Sequence, residues 1–283
     1  NLFHRKARTD PAYRNCREES PIVSTSEVIF KHHDAIATIT FNRPQARNAM
    51  TWSMYETLLE HCETVEATPS IRVLILRGAG GKAFVSGTDI SQFRSFRKEI
   101  DGIEYEKKLD TVIERLETLT TPTIAAINGV TTGGGCVMVV ACDIRICTTT
   151  SRFGVPIART LGNCVSASNI ARFLDIIGPT RLKDMLYTGR LFSADEAASS
   201  GLVTRVVGSD DFESIVTEYA EIIAANAPLT IQATKQMVHR VQQHRRINPE
   251  LGHDWIGRCY SSDDFREGVS SFLEKRRPVW KGQ

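Results

Sequence analysis

Two glycine-bearing turns are the segments best suited to chemistry. The first is Ala83-Phe84-Val85-Ser86-Gly87-Thr88-Asp89-Ile90, just after a short apolar run. The second is Asn128-Gly129-Val130-Thr131-Thr132-Gly133-Gly134-Gly135, just before a nearly all-apolar stretch that ends at Ala141. Backbone N–H groups at a helix start have no intrahelical partner and carry the positive end of the helix dipole. Glycine lets a ligand approach that backbone closely. A carbonyl oxygen that gains negative charge during reaction, such as that of a thioester, needs such donors. Neither turn alone is specific, and a glycine run before a helix is more often only a packing device. Cys136 and Cys164 read as packing residues rather than nucleophiles.

Other chemistries lack their motifs. There is no HExxH, no GxSxG and no GxGxxG. Gly81-Lys82 does not complete a phosphate loop, because Leu76 stands where its first glycine belongs and Ala83 follows the lysine. The 7 cysteines are odd in number and form no CxxC pair. That predicts a reducing, cytoplasmic setting with no disulfide framework and no metal site. With 283 residues, 41% hydrophobic and 24% charged, the chain reads as globular. A net charge of +2 gives no reason to expect nucleic acid. No apolar run suits a membrane span. The first residues have no secretory h-region, and Asp10, Glu18 and Glu19 argue against a transit peptide. Residues 1–24 are expected to be a flexible or partner-docked extension.

The elements that must hold the turns follow from periodicity. Val28 to Phe41 predicts a β-hairpin around His32-His33-Asp34, with Ala35, Ala37, Ile39 and Phe41 on one face. A helix is predicted from Ser53, as the cap of a Ser53/Glu56 box, to Ala67. Val73 to Leu76 suits a strand buried on both faces. A helix from about Tyr105 to Leu119, a strand Thr123 to Ile127, a buried helix Gly133 to Ala141 and a strand Ile144 to Cys147 follow. Gly201-Leu202-Val203 reads as a helix cap leading into a short strand. The remainder is predicted to be mainly helical.

Together, and in this order, the turns and their flanks resemble the enoyl-CoA hydratase/isomerase, or crotonase, family. The resemblance runs through Asn42-Arg43-Pro44, Asn48-Ala49, Ser86-Gly87, Asp89, Ala125-Ala126-Ile127-Asn128-Gly129, Gly133-Gly134-Gly135, Cys142-Asp143-Ile144-Arg145, Phe153-Gly154, Pro156, Gly201-Leu202-Val203 and Phe272-Leu273-Glu274-Lys275-Arg276. It implies an α/β, crotonase-like spiral of ββα units over residues 25–200. A mainly helical region, 201–283, would serve oligomerisation as a trimer or a dimer of trimers. It implies an acyl-CoA thioester as substrate, with no cofactor beyond the coenzyme A that the substrate carries. By position, the N–H groups of Thr88 and Gly134 become the oxyanion donors. Coenzyme A is expected along Ala46 and Arg47 and along Ser86, Gly87, Asp89 and Ile90, with Lys275 of this or a neighbouring subunit at a phosphate. Arg47 and Lys275 also read as solvated charges, and Asp89 as a brace of its own turn.

The chain departs from the pattern at the proton-handling positions. Where the family's hydratases carry two glutamates, this chain has Val137 and Ile157, and where its aryl-CoA dehalogenases carry an aspartate the aligned residue is Ser166. Neither Val nor Ile moves a proton. Asp110 matches a position on the preceding helix that in some members faces the acyl group; it reads otherwise as a solvated carboxylate. The nominal expectation is an enoyl-CoA hydratase. Isomerisation, thioester hydrolysis, decarboxylation and a catalytically silent CoA-binding protein stay open.

Overall fold

The computed structural model describes residues 26–283, so the expected extension, 1–24, lies outside them. Strands β1 (Val28–His33) and β2 (Ile36–Phe41) pair antiparallel about a turn in which Asp34 takes φ +52°. Ala37, Ile39 and Phe41 are buried on one face, as alternation requires. There follow α1 (Trp52–Glu66), β3 (Val73–Gly78), α2 (Glu99–Thr118), β4 (Thr123–Ile127), β5 (Val130–Thr132), α3 (Gly134–Ala141), β6 (Ile144–Thr148), β7 (Arg152–Gly154) and α4 (Ile157–Thr160). Then come α5 (Ala167–Thr188), β8 (Phe192–Ser193), α6 (Ala194–Ser199), β9 (Arg205–Val207), α7 (Phe212–Ala225), α8 (Pro228–Arg245), α9 (His253–Tyr260) and α10 (Asp263–Leu273).

The main sheet has the order β1-β2-β3-β4-β6-β9, and a smaller one has the order β5-β7-β8. Every pairing in the main sheet after β1–β2 is parallel. Successive strands alternate between the two sheets, β4 then β5 and β6 then β7, before a helix returns the chain. That is the expected α/β spiral of ββα units. Parallel strands must be covered on both faces. Leu74, Leu76, Ala125 and Ile127 enter one apolar core, against α1, α2 and α3. Val73, Ile75, Ile124, Ala126 and Ile146 enter a second core, closed by Phe212, Val216 and Ala220 of α7.

Local differences from the sequence reading have plain causes. Thr51 caps α1, its hydroxyl accepting from the Met54 N–H at 3.3 Å, so the Ser53/Glu56 pair falls inside the helix. Helix α2 begins at Glu99, because Asp101 accepts the Arg97 and Lys98 N–H groups and fixes an earlier start. The short strand after Gly201 is Arg205–Val207, where the Thr204 N–H donates to the Arg145 carbonyl and leads the chain alongside β6. Helix α5 runs on through a kink at Gly178-Pro179.

Two residues of the motifs that carry the resemblance, Asn48 and Asp143, are structural ties. Asn48 is buried in a left-handed conformation; it accepts the Arg43 N–H and donates to the carbonyls of Ala79 and Ala83. Asp143 accepts from the N–H and hydroxyl of Thr123 and from Lys235 of α8 at 2.8 Å, which pins that helix to the sheet end.

Candidate active site

The first glycine turn is held by the segment before α1. The Ser86 N–H donates to the Arg47 carbonyl, the Met50 N–H to that of Gly87 and the Asp89 N–H to that of Met50. Ala46 and Arg47 therefore lie alongside Ser86 and Gly87. Asp89 receives Arg43 at 2.7 Å and caps the following turn through the Ser91 N–H and hydroxyl. Those hydrogen bonds and the Arg43 charge hold its carboxyl below the ordinary range against the opposing effect of burial, which is the largest single influence. These contacts make Asp89 a brace.

The second turn meets the first backbone to backbone. Gly87 takes φ +101°, and a Cβ built on it would lie 3.4 Å from the Thr132 carbonyl and 3.8 Å from the Gly134 nitrogen. A Cβ on Gly135 would fall 2.1 Å from the Val85 carbonyl. The point where Gly134 would carry its Cβ lies 2.7 Å from the Tyr55 hydroxyl, 3.6 Å from the Thr88 hydroxyl and 4.0 Å from the Thr88 nitrogen. Gly135 thus permits a close approach that a side chain would prevent, and Gly87 supplies a backbone conformation that other residues rarely adopt. They leave the N–H of Thr88 and that of Gly134, the first residue of α3, in one neighbourhood.

Side chains complete that neighbourhood. Thr88 Oγ1 lies 2.9 Å from the Tyr55 hydroxyl and 2.9 Å from the Tyr105 hydroxyl. Burial pushes both phenols far above their ordinary range, so both keep their protons. One residue on, Glu106 is buried, taking a hydrogen bond from Tyr260 at 2.6 Å and from the Ser166 N–H at 3.2 Å. Burial pushes its carboxyl up to about 8, with the nearby Asp110 adding to the shift. Asp110, one helical turn further, accepts from the hydroxyl of Ser166 and the amide of Asn169, each at 2.8 Å. Its pKa is raised, chiefly by burial. Ser166 thus bridges two acids of α2.

The structure places the sequence candidates unevenly. Thr88, Gly134, Gly87, Ser86, Ala46 and Arg47 converge. Asp110 bonds to α5 and borders a cavity of about 190 Å³ shared with Arg172 and Arg246, with neither glycine turn in its lining. Ile90 opens a turn over Ile90–Ser95 against which α10 packs. Between them lies a groove of about 550 Å³ bordered by Arg94, Arg97, Arg266 and Glu274, with Lys275 next in the chain and exposed. Val137 is buried and Ile157 half-buried in the apolar core. Cys136 gives its thiol hydrogen bonds to the Thr131 and Gly154 carbonyls, and burial pushes it up to about 12. The neighbouring Cys259 thiol, then burial, hold Cys164 protonated. Among the described residues no three His, Cys, Asp or Glu side chains gather to hold a metal ion.

Tyr55, Tyr105 and Glu106 were not singled out from sequence. Glu106 stands among Glu104, Lys107 and Lys108, which gives it the look of a solvated face. The spacing Glu106, Leu109, Asp110, Ile113 carried the missing signal, since residues three, four and seven apart share one side of a helix.

The chain is similar to known proteins over most of its length. A sequence model of the enoyl-CoA hydratase/isomerase family matches residues 31–283. The chain is 33% identical over 254 residues to the short-chain-enoyl-CoA hydratase of Clostridium acetobutylicum, covering 89% of this chain and 96% of that one. Among solved structures, an enoyl-CoA hydratase/carnithine racemase from Magnetospirillum magneticum is 35% identical with a TM-score of 0.75, over 92% of this chain and 97% of that one. A methylmalonyl-CoA decarboxylase in complex with 2-nitronate-propionyl-CoA is 26% identical with a TM-score of 0.83, over 92% of this chain and all of that one, 100%.

Proposed function

The chain belongs to the enoyl-CoA hydratase/isomerase family, and we propose that it is an acyl-CoA enzyme whose Thr88 and Gly134 N–H groups bind the thioester oxygen. The observation that carries this reading is the meeting of the two glycine turns, with Gly87 3.8 Å from the Gly134 nitrogen at its Cβ position. Donors fixed before the substrate arrives stabilise an enolate or oxyanion without reorganising during the reaction.

Coenzyme A is assigned to Ala46, Arg47, Ser86, Gly87, Asp89 and Ile90, with Lys275 at a phosphate. The hydrogen bonds from the Ser86 N–H to the Arg47 carbonyl and from the Ser86 hydroxyl to the Ala46 carbonyl support a continuous seat. The arginines of the neighbouring groove support binding of an anion. The nominal reaction is hydration of an enoyl thioester. Val137 and Ile157 hold no transferable proton, so the proton carriers are assigned to α2. Asp110 is the candidate by position, and Glu106, held largely neutral at pH 7, by environment. No cofactor is needed beyond the coenzyme A of the substrate.

Self-association as a trimer or dimer of trimers is part of the proposal. Met237, Val238 and Val241 of α8 are more than half exposed, beside a cavity of about 500 Å³; such apolar surface favours burial against another subunit. A cytoplasmic site is proposed too, consistent with the unpaired thiols of the six described cysteines. No described helix is long and apolar enough to cross a membrane.

A screen of acyl-CoA esters, crotonyl-CoA included, with calorimetric binding and mass-spectrometric identification of products tests the reading. Binding with turnover of at least one ester is the expected result; a protein that binds none overturns it. Val137 and Ile157 favour one rival, a CoA-binding protein without turnover, which would bind esters and release them unchanged.

A further inference from the structure

The backbone donors at Thr88 and Gly134 have a hydroxyl chain beside them whose hydrogens do not balance. Tyr55, Thr88 and Tyr105 carry one hydroxyl hydrogen each and are joined by two hydrogen bonds of 2.9 Å. Whichever way those bonds run, one of the three hydrogens is left over. Neither phenol has another hydrogen-bond partner among the described residues. Tyr55 is only 4% exposed and Tyr105 only 7%. A buried hydroxyl hydrogen without an acceptor costs about 1–3 kcal/mol, so the arrangement calls for an acceptor that the protein does not supply.

Position decides which hydroxyl meets it. The Tyr105 ring is enclosed by Trp52, Phe93, Phe96 and Tyr260. The Tyr55 hydroxyl lies 2.7 Å from the Cβ position of Gly134, and the Thr88 nitrogen lies 4.0 Å from the same point. Covalent geometry puts the Gly134 nitrogen about 2.5 Å from that point. The Tyr55 hydroxyl and the nitrogens of Thr88 and Gly134 therefore lie close together beside the Gly134 Cα, at the start of α3. When Tyr105 donates to Thr88 and Thr88 donates to Tyr55, the free hydrogen is that of Tyr55.

We propose that Tyr55 is a third donor to the thioester oxygen, oriented through the Thr88 hydroxyl by Tyr105. This rests on the acyl-CoA reading above and deepens it. The ligand group is a carbonyl oxygen that becomes an enolate or oxyanion. The phenol stays neutral and donates a hydrogen bond; no bond is made or broken. Thr88 then acts twice, through its N–H on the oxygen and through its hydroxyl on Tyr55.

The test is the infrared carbonyl stretch of butyryl-CoA labelled with carbon-13 at the thioester carbon, bound to the full chain. Bound to the wild type, the stretch is expected below its value in water. Tyr55→Phe is expected to lose roughly a third of that lowering, one donor of three, with Kd within about tenfold of the wild type. Replacing Tyr55 by 3-fluorotyrosine, a more acidic phenol of nearly the same shape, is expected to lower the stretch further. This second variant reports on the donor even if Tyr55→Phe folds poorly. An unchanged stretch in the fluorinated protein, or the full wild-type lowering in Tyr55→Phe, overturns the assignment of Tyr55 alone. A wild type that binds no acyl-CoA overturns the underlying reading as well.

Discussion

The hydroxyls of Tyr55 and Thr88 lie 2.9 Å apart, and the same Tyr55 hydroxyl lies 2.7 Å from where Gly134 would carry a Cβ. Helix α1 is thereby coupled to both glycine turns. The Tyr55 phenol oxygen occupies the space that a side chain at Gly134 would need.

Gly134→Ala is accordingly expected to cost about 1–3 kcal/mol of stability through overpacking. In a Tyr55→Phe background the 2.7 Å contact is gone, and the next atom is Thr88 Oγ1 at 3.6 Å, an ordinary contact. The cost there should fall by about 1 kcal/mol. Urea unfolding of the four proteins of this cycle measures the coupling; additive costs would mean that Tyr55 does not fill that space.

The buried carboxyl of Glu106 makes stability depend on pH. Its pKa is raised from 4.5 to about 8 in the fold, so the folded chain retains a proton that the unfolded chain releases. Its contribution is fully present below 4.5 and lost as pH rises through about 8. The slope reaches at most about 1.4 kcal/mol per pH unit within that window. Asp110, also raised, acts in the same direction. Glu106→Gln, which mimics the protonated acid, is expected to flatten the decline. Unfolding midpoints at several pH values across the window check it, and a wild type whose stability rises with pH there would contradict the sign.

Asp110→Asn separates the two acids of α2 in catalysis. If Asp110 carries a proton in the reaction, kcat for whichever ester is turned over falls about 10²–10⁴-fold. Unaltered turnover would assign Asp110 to holding Ser166 and Asn169, and would leave Glu106 as the remaining carrier on that helix.

The pair Asp143–Lys235 tests the anchoring of α8. Lys235 is nearly buried, and its ammonium meets Asp143 at 2.8 Å and the Thr121 carbonyl at 3.1 Å. Asp143→Ala leaves that charge without its counter-ion and should cost about 2–4 kcal/mol. Lys235→Met should cost less, because Asp143 is partly exposed and keeps its Thr123 donors. Denaturant titration of both variants gives the order, and equal costs would show that burial of the ammonium is not the main effect.

The sequence by itself determined the frame. Alternation fixed the β1–β2 hairpin, continuous apolar runs fixed the parallel strands, and glycines where only a bare backbone fits marked the two turns. The order of those motifs was enough for the family. These signals are local, or nearly so: each arises from a repeat of two or 3.6 residues or from a missing Cβ. What only the tertiary structure decided is the company each polar group keeps. Glu104 and Glu106 look alike in the chain, yet the packing of α9 on α2 buries the second beneath Tyr260. Nothing in the chain sets Tyr55 apart until α3 and Thr88 are placed beside it. Burial and hydrogen bonding between segments 33 and 154 residues apart set those environments. No window along the sequence contains both partners, so the proton-bearing groups around Gly134 became legible only in the fold.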